Sequence, residues 1–540
     1  MSKILSLRWL RTVVAIIYFT LFVFAFIDFS STFSSGFLNG LLYLQFTPSV
    51  LKFIRVGGIL ATGFIAVSLL TLLFGRVYCS MICPLGIFQD IVARFRTKRV
   101  RYKYLKPWNI IRYTTLVVVV ASALAGSLFL LYMLDPYSFA GRIFSDILRP
   151  VYYEANNLLV KVLGFFSSYA LHHVEFKGMP WQGIAITGGL TVALVVVAWR
   201  WGRIFCNSFC PVGAFLSLLS RLSIFKLVID ENSCTACNRC SRDCKASCID
   251  VNNRSIDFSR CVACYNCIDS CKEGGIGYRF AYSKPKKNLP IEPDTSRRGF
   301  IATFTGIVVG ASLVRQSLKS IAQGRGFGQG RRKNQNHGSD ENPQKSTAGD
   351  RPNSRLAPVT PPGSYNQKDF LNACTACHLC VTACPTHVIQ PAIKEYGFFG
   401  LLQPHMDFHS GFCNFECTIC GEVCPAGAIR ILDLETKKRT QIGRVKFHLG
   451  NCIVRVDRTD CGACSEHCPT KAVHMVPWQG LLLPEVNEDI CIGCGACEYA
   501  CPTTPYKAIY VNGNVEHQVA DLPEMMDDAP RKSDADDFPF

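Results

Sequence analysis

Long apolar runs separated by short polar segments occupy the first two hundred residues of the chain. Each run is apolar over about 20 residues, the length that a helix needs to cross a bilayer. The four runs cover residues 12–28, 56–74, 114–134 and 179–198. Asp28, at the very end of the first run, is the only charged residue in the four. The pattern predicts an α-helical membrane domain of four spans over residues 1–225.

Basic residues mark the ends of these runs that we expect to face the cytoplasm. A cluster from Arg94 to Lys106 follows the second run, and Arg200 and Arg203 follow the fourth. By the positive-inside rule, the N-terminus and the segment after the fourth run lie on the cytoplasmic side of a bacterial inner (plasma) membrane. The net charge of +17 is read as this topology signal, so we expect a membrane and no nucleic acid as partner. A weaker apolar stretch, residues 155–174, predicts an interfacial helix on the outer side.

Most cysteines of the chain lie beyond residue 230. The whole chain has 29 cysteines, and an odd number at metal-ligand spacing argues against a disulfide scaffold. Residues 234–271 contain two copies of C-x2-C-x2-C-x3-C, the pattern of a two-cluster bacterial ferredoxin, in which each fourth cysteine serves the other motif's cluster. We therefore predict a cytoplasmic α+β ferredoxin-like domain over residues 226–282. Its expected ligand sets are Cys234, Cys237, Cys240 with Cys271, and Cys261, Cys264, Cys267 with Cys244.

Two features of this region depart from the usual pattern. Lys272 and Lys245 follow the fourth cysteines, where proline is usual, and Cys248 has no place in either ligand set. A zinc site would need isolated sets of four cysteines, and two tandem motifs do not provide them.

An internal repeat marks the ends of the second and fourth apolar runs. Residues 75–86 and 202–213 share the framework G-R-x-[YF]-C-x3-C-P-[LV]-G, which indicates a duplicated helix pair. The framework shared by the two copies places their cysteines at equivalent helix ends. Three interpretations stay open: the residues only shape a helix end, the thiols bind a metal cofactor, or they form redox dithiols. The cysteines concerned are Cys79, Cys83, Cys206 and Cys210.

Residues 283–320 join the two cysteine-rich regions. The run Ser-Arg-Arg-Gly-Phe-Ile at residues 296–301 overlaps a mild apolar segment, residues 299–314, and resembles a twin-arginine (Tat) export signal. The alternative is an ordinary fifth membrane helix. Either one carries the rest of the chain to the extracytoplasmic side. We expect residues 321–367, rich in Gly, Asn, Ser and Pro, to be a disordered linker, and residues 516–540 to be an acidic tail.

Four further cysteine motifs lie between residues 368 and 515, and they predict an extracytoplasmic ferredoxin-like domain with four [4Fe–4S] clusters. With the two in the cytoplasm, we expect six. Cys374, Cys377 and His378 match a c-type haem attachment pattern, but Cys380 and Cys384 follow at ferredoxin spacing, so a cluster is favoured. The motifs are Cys374, Cys377, Cys380, Cys384; Cys413, Cys417, Cys420, Cys424; Cys452, Cys461, Cys464, Cys468; and Cys491, Cys494, Cys497, Cys501.

These motifs resemble two known families. Four spans, the paired C-x3-C-P motifs and a trailing two-cluster ferredoxin are similar to the membrane quinol dehydrogenase subunit of periplasmic nitrate reductase systems (NapH-type), over about residues 1–280. The membrane part of the nitrous-oxide reductase regulator family is similar too. Residues 368–515 resemble NapG/MauM-type periplasmic ferredoxin subunits and, more loosely, the four-cluster subunits of molybdenum oxidoreductases. The resemblance implies that the electron donor is a membrane quinol.

The resemblance also implies how the four C-terminal motifs share their ligands. In those relatives the outer two motifs pair with each other, and so do the inner two. The implied sets are Cys374, Cys377, Cys380 with Cys501; Cys491, Cys494, Cys497 with Cys384; Cys413, Cys417, Cys420 with Cys468; and Cys452, Cys461, Cys464 with Cys424.

The function that follows is electron transfer without acid–base catalysis. We find no phosphate-binding loop and no Ser or Cys nucleophile signature, so no catalytic residue is assigned. The expected activity is that of a quinol dehydrogenase component, relaying electrons between the menaquinol/quinol pool and an extracytoplasmic reductase that is a separate partner. The alternative is a membrane maturation or regulatory factor that supplies electrons to a periplasmic metalloenzyme.

Overall fold

The computed structural model describes residues 7–27, 33–58, 61–95, 102–167, 171–174, 181–230, 232–281 and 347–521. The chain forms two compact units. The first consists of Met1–Asp340, Gln367–Met406 and Ile419–Ile431, and the second of Glu341–Asn366, Asp407–Thr418 and Leu432–Phe540. The predicted apolar segment 299–314 lies outside the described residues.

The first unit begins with a helical region. Its elements are α1 Leu7–Ile27, α2 Ser35–Leu42, α3 Phe46–Arg55, α4 Gly63–Phe74, α5 Tyr78–Met81, α6 Pro84–Arg94, α7 Asn109–Leu124, α8 Phe129–Leu134, α9 Pro136–Arg142, a π-helical segment Ile143–Leu148, α10 Arg149–Phe165, α11 Trp181–Trp201, α12 Ile204–Ser208 and α13 Pro211–Arg221.

Among the described residues, two of these helices are long and apolar enough to cross a membrane. They are α1 and α11, with 21 residues each. The four or five spans expected from the sequence are not shown, because α4 and α7 are apolar but have only 12 and 16 residues. Gly57 and Gly58 take positive φ angles of 69° and 83° before α4, and Gly126, at 88°, follows α7. These left-handed residues interrupt the helix within the apolar run.

The helical region is organised around a cluster of buried aromatic rings. Phe22 and Phe26 lie on one face of α1, four residues apart, and are fully buried. The Phe22 ring lies 5.8 Å from that of Tyr137 in α9 and 5.9 Å from that of Phe144 in the π-helical segment, both in edge-on geometry. Helical spacing therefore gives α1 a face that packs against the α9 region.

A small α+β lobe follows α13 and fits the predicted ferredoxin-like fold. Strand β1 (Phe225–Ile229) pairs antiparallel with β4 (Ile276–Phe280), and β2 (Ile249–Asp250) pairs with β3 (Ser255–Ile256). Helices α14 (Arg239–Arg242) and α15 (Asn266–Ser270) each start after a left-handed residue, Asn238 and Tyr265, both at φ 59°. The matching backbone shows that the two cysteine motifs are folded as equivalent halves.

The last part of the first unit carries the first C-terminal cysteine motif. It contains α16 (Gln367–Leu371), α17 (Leu379–Ala383) and α18 (Ile419–Glu422). Strands β5 (Ile389–Pro391) and β6 (Pro404–Met406) pair antiparallel, and a short 3-10 turn covers Phe398–Gly400.

The second unit is built on two antiparallel strand pairs. Strand β7 (Thr440–Phe447) pairs with β10 (Ile509–Val519), with Ile509 opposite Phe447, and β8 (Val473–Trp478) pairs with β9 (Leu481–Val486). Its short helices are α19 Leu434–Arg439, α20 Ile453–Val456, α21 Ala463–Glu466 and α22 Ala496–Ala500, with a 3-10 turn at Leu449–Asn451.

Three predicted boundaries need correction. The predicted linker, residues 321–367, is wrong for residues 347–366, because Thr360 is fully buried and shares a 2.8 Å hydrogen bond with His517. The predicted tail, residues 516–540, is wrong at its start, since β10 continues to Val519. The predicted single domain 368–515 is divided between the two units.

Candidate iron–sulfur centres

The first two predicted ligand sets come together in the α+β lobe. Cys234, Cys237, Cys240 and Cys271 line one pocket. Burial raises the pKa of Cys240 to about 11, and the neighbouring three thiols of the set add to this. The structure thus gathers the first set as the two-cluster ferredoxin pattern predicts.

The second set surrounds the loop at residues 261–267. Burial raises the pKa of Cys264 to about 11, and the Cys244 and Cys261 thiols add to this. Cys267 is next to the same three thiols. Cys248, which the sequence left unassigned, is buried with its sulfur 3.5 Å from that of Cys244. The fifth thiol therefore touches a ligand of the second set.

The first C-terminal motif gathers a different fourth cysteine from the one expected. The thiols of Cys374, Cys377 and Cys380 all interact electrostatically with that of Cys424. The pairing with Cys501, implied by the resemblance, is wrong. Cys424 ends the next motif along the chain and lies in the same compact unit.

The last two motifs pair in the same way within the second unit. One pocket is lined by Cys452, Cys461, Cys464 and Cys501, and burial raises the pKa of Cys464 to about 12. Cys468 interacts with the thiols of the last motif, so the second set there consists of Cys491, Cys494, Cys497 and Cys468. The implied pairings of these motifs with Cys384 and Cys424 are also wrong. In the second unit the two motifs fold together, and each receives its fourth cysteine from the other.

The four remaining cysteines of the first two C-terminal motifs are divided between the two units. Cys384 and Cys420 belong to the first unit, and Cys413 and Cys417 to the second. The Cys413 amide donates a 2.9 Å hydrogen bond to the carbonyl of Cys494. The predicted sharing of Cys413, Cys417 and Cys420 with Cys468 is wrong, because Cys468 accompanies the last motif.

The thiols of the repeat meet in one buried place, which we call the four-thiol centre (Cys79, Cys83, Cys206 and Cys210). Cys79 lies in α5 and Cys206 in α12, while Cys83 and Cys210 precede α6 and α13. Each is at most 4% exposed. The thiols of Cys83 and Cys210 interact electrostatically with the other members. The prolines that follow Cys83 and Cys210 start these helices, where the missing amide proton costs no hydrogen bond.

Two arginines cross between the copies of the repeat. Arg76 donates to the carbonyl oxygen of Cys206 at 3.2 Å, and Arg203 donates to that of Cys79 at 2.6 Å. A Cβ atom on Gly86 would overlap the Cys79 carbonyl, and one on Gly213 would overlap the Cys206 carbonyl. The glycines and arginines of the repeat therefore hold the two copies together in a pseudo-two-fold arrangement.

The four-thiol centre also contacts the loop that carries the second ligand set. Arg76 donates to the Ser259 carbonyl at 3.1 Å, and Ser80 to the Ala263 carbonyl at 3.5 Å. The Arg203 amide donates to the Lys245 carbonyl at 3.0 Å. Ala263 lies between the ligands Cys261 and Cys264, so the two groups of thiols are neighbours.

A second contact joins the helical region to the loop of the Cys374 motif, and sequence reasoning missed it. Arg142 donates to the Ala376 carbonyl at 3.5 Å, and Arg149 donates to the Thr382 carbonyl at 3.1 Å. Both arginines are at most 2% exposed. The sequence contained a signal for this contact: Arg142 and Arg149 are charged residues in apolar surroundings, where a charge has to find a partner.

The same contact contains a buried acid–imidazole pair. The Asp146 carboxylate lies 2.7 Å from Nδ1 of His378, and it accepts a 2.8 Å hydrogen bond from Thr187 in α11. Nε2 of His378 lies 2.8 Å from the Leu402 carbonyl. His378 is therefore fixed by the helical region and not arranged as a free haem ligand.

Among the described residues, no three His, Cys, Asp or Glu side chains are close enough to hold a single metal ion. A four-iron cage needs its cysteines farther apart than one zinc ion does, and cysteine thiolates are its usual ligands. The donor chemistry of these thiol groups therefore fits [4Fe–4S] clusters.

Three family models match parts of the chain. A "4Fe-4S binding domain" model matches residues 56–103 and 186–229, the two copies of the repeat. A "4Fe-4S dicluster domain" model matches residues 457–505, and a further "4Fe-4S binding domain" model matches residues 370–390. No solved structure matches the chain.

Known proteins are similar to separate parts of it. Uncharacterized protein MJ0749 of Methanocaldococcus jannaschii is 27% identical over 212 residues, which are 37% of this chain and 65% of that protein. Ferredoxin-type protein NapF of Escherichia coli is 27% identical over 25% of this chain and 74% of its own length. Methylamine utilization ferredoxin-type protein MauM of Methylorubrum extorquens is 31% identical over 25% and 64%. The chain is thus an iron–sulfur electron-transfer protein of the ferredoxin type, homologous to NapF and MauM.

Proposed function

We propose that the chain is a membrane-bound quinol dehydrogenase component that relays electrons between the menaquinol/quinol pool and a separate extracytoplasmic reductase. In this proposal it is a fusion of a NapH-type membrane subunit with a NapG/MauM-type ferredoxin subunit. The two-cluster lobe is cytoplasmic and the C-terminal region extracytoplasmic. Six ferredoxin-type [4Fe–4S] clusters store and pass single electrons.

One observation carries this proposal: the helical region contacts a cysteine-motif loop at two separate places. The loop at Ser259 and Ala263 meets the four-thiol centre, while the loop at Ala376 and Thr382 meets Arg142 and Arg149. A membrane scaffold without an electron-transfer role would not need to hold cluster loops at both places.

A cleft beside the four-thiol centre fits the expected donor. Its lining includes Trp108, Trp201 and Ile204 together with Arg112 and Asn207. Arg112 is buried and donates a 2.5 Å hydrogen bond to the Asn207 carbonyl. About half of the lining is polar or charged, including Lys106 and Arg260, so aromatic walls for the ring of a quinol stand beside groups that can hydrogen-bond its hydroxyls. We therefore place quinol binding at this cleft.

The test is reduction of the purified, anaerobic protein by a soluble menaquinol analogue, followed by electron paramagnetic resonance of the reduced clusters. We expect reduction in the wild type and at least about tenfold slower reduction in Trp108→Ala, the loss of about 1.4 kcal/mol of binding. Trp9→Ala in α1, where Trp9 is also half exposed, is the matched control and keeps the wild-type rate. A wild type that dithionite reduces and the quinol does not contradicts the proposal.

A further inference from the structure

The four-thiol centre contains more cysteines than either copy of the repeat can use alone. We propose that Cys79, Cys83, Cys206 and Cys210 together bind one additional [4Fe–4S] cluster, shared between the two copies. The site adds to the six ferredoxin-type clusters of the proposed function. Its role as a relay rests on that function, but its existence does not.

The first argument is the number of ligands. Each segment matched by the "4Fe-4S binding domain" model contains only two cysteines, Cys79 and Cys83 in one and Cys206 and Cys210 in the other. A cluster of this kind takes four thiolates. The structure completes the set by bringing both pairs into one buried place.

The second argument is electrostatic. Arg76 is fully buried and, within the described ranges, makes no ion pair with a carboxylate; its Nε has no hydrogen-bond partner. Its Nη2 lies 3.8 Å from the Cys79 sulfur. A buried guanidinium requires a nearby negative charge, and four thiolates around a cluster core supply it. A [4Fe–4S] core of charge +2 with four thiolates keeps two negative charges, which Arg76 faces, whereas Arg203 is paired with Asp90 at 2.8 Å.

The third argument is that the four thiols do not pair with one another. In the described part of the chain, no hydrogen bond joins any two sulfurs of the four-thiol centre, although Cys244 and Cys248 make one at 3.5 Å. Thiols poised to form a disulfide would lie in contact. Four buried thiols that do not pair with one another are available as separate ligands of a cage of iron and sulfide.

The position of the four-thiol centre, between the second ligand set and the Cys374 motif, suits a relay of electrons. On one side it contacts the second ligand set through Ser80 and Ala263. On the other side, Cys83 interacts with Tyr18, whose ring lies 6.5 Å from that of Phe22. Phe22 then contacts Tyr137, which faces Cys377.

An electron that arrives at the four-thiol centre from a reduced quinol, or from the second ligand set, can therefore leave through buried aromatic rings towards the Cys374 motif. Between the iron–sulfur centres only the electron moves, while oxidation of the quinol to the quinone breaks its two O–H bonds. The quinol releases its two protons to water when it gives up two electrons in successive one-electron steps.

The test is the iron and acid-labile sulfide content of the full-length, anaerobically purified protein. We expect about 28 iron atoms per chain in the wild type and about four fewer, with about four fewer sulfides, in the double variant Cys83→Ala/Cys210→Ala. Ile87→Val/Val212→Ala changes buried residues of α6 and α13, the helices that Cys83 and Cys210 precede, without removing a thiol, and keeps the wild-type content. Unchanged iron, or loss of one zinc instead, overturns the inference.

A second variant avoids the risk that the double variant fails to fold. Arg76→Gln keeps all four thiols and removes one positive charge, so it retains all the iron and lowers the midpoint potential of one centre. Potentials that are all unchanged overturn the inference. Failure of quinol to reduce the wild type would contradict the proposed function but would leave these iron counts and potentials as they are.

Discussion

Tyr137 is the side chain through which the helical region faces a predicted cluster ligand. It is 1% exposed, and within the described ranges its hydroxyl has no hydrogen-bond partner at good geometry. The thiol it interacts with most directly is that of Cys377. Asp135 caps α9 by accepting from the Ser138 amide at 2.8 Å, which fixes Tyr137 two residues into the helix. The hydroxyl is therefore placed to donate to the Cys377 sulfur once it ligates iron.

We predict that Tyr137→Phe lowers the midpoint potential of the cluster on the Cys374 motif. Hydrogen bonds to ligand sulfurs raise the potential, and about 1 kcal/mol corresponds to about 40 mV for a one-electron couple. The measurement is a potentiometric titration followed by electron paramagnetic resonance. Tyr510→Phe is the control, because the Tyr510 hydroxyl donates to the Ser354 carbonyl at 3.4 Å, and both residues belong to the second unit. A Tyr137→Phe potential equal to that of the wild type would show that the hydroxyl does not contact the cluster.

At the scale of the elements, adjacent cysteine motifs pair with each other. The α+β lobe gathers Cys271 onto the first motif, and the second unit gathers Cys501 onto the motif that begins at Cys452. In the second unit, the motifs that begin at Cys452 and Cys491 both lie between β7 and β10 in the sequence. These two strands pair with each other. A pair of motifs that shares one lobe exchanges its fourth cysteines over a short distance.

We predict that Cys501→Ala removes the cluster on Cys452, Cys461 and Cys464, with loss of about four iron atoms. The cluster on the Cys374 motif stays, so adding Tyr137→Phe to this variant still shifts one potential. Iron analysis and redox titration of the double variant are the measurements. If the Cys501→Ala variant no longer shows the potential that Tyr137→Phe shifts, the cluster on the Cys374 motif depends on Cys501. The outer motifs would then pair with each other.

At the scale of the whole molecule, the proposed function requires the two cysteine-rich regions to lie on different sides of a membrane. Helices α1 and α11 are the two that can span it, among the described residues. In the proposed topology, the two-cluster lobe lies inside, on the side of the basic residues after α11, and the twin-arginine-like run at residues 296–301 directs the C-terminal region outside.

We predict that reporter fusions ending near residue 280 are active only with a cytoplasmic reporter, and fusions ending near residue 350 only with an external one. Replacing Arg297 and Arg298 by Lys blocks export of the C-terminal region, since the twin-arginine pathway reads both side chains. The matched control is replacement of Lys286 and Lys287 by Arg, which leaves export unchanged. Export that survives the arginine replacement would identify an ordinary membrane helix.

The sequence by itself determined the cofactor chemistry, because cluster ligands are local. Cys234, Cys237 and Cys240 occupy one loop at a spacing that only a few folds use, and the same holds for Cys491, Cys494 and Cys497. The repeat around Cys79 and Cys206 was readable for the same reason. Helix type was readable from apolar runs, but helix length was not, since single glycines such as Gly126 end a helix within an apolar run.

The tertiary structure decided everything that joins distant parts of the chain. Arg142 and Ala376 are 234 residues apart, and no local pattern predicts which carbonyl a buried arginine will reach. The partner of Cys374 depended on whether Cys424 or Cys501 shares its lobe, which spacing does not encode. Burial removes water from these polar groups, so each must find a partner inside the fold, and only the completed packing shows which partner is within reach.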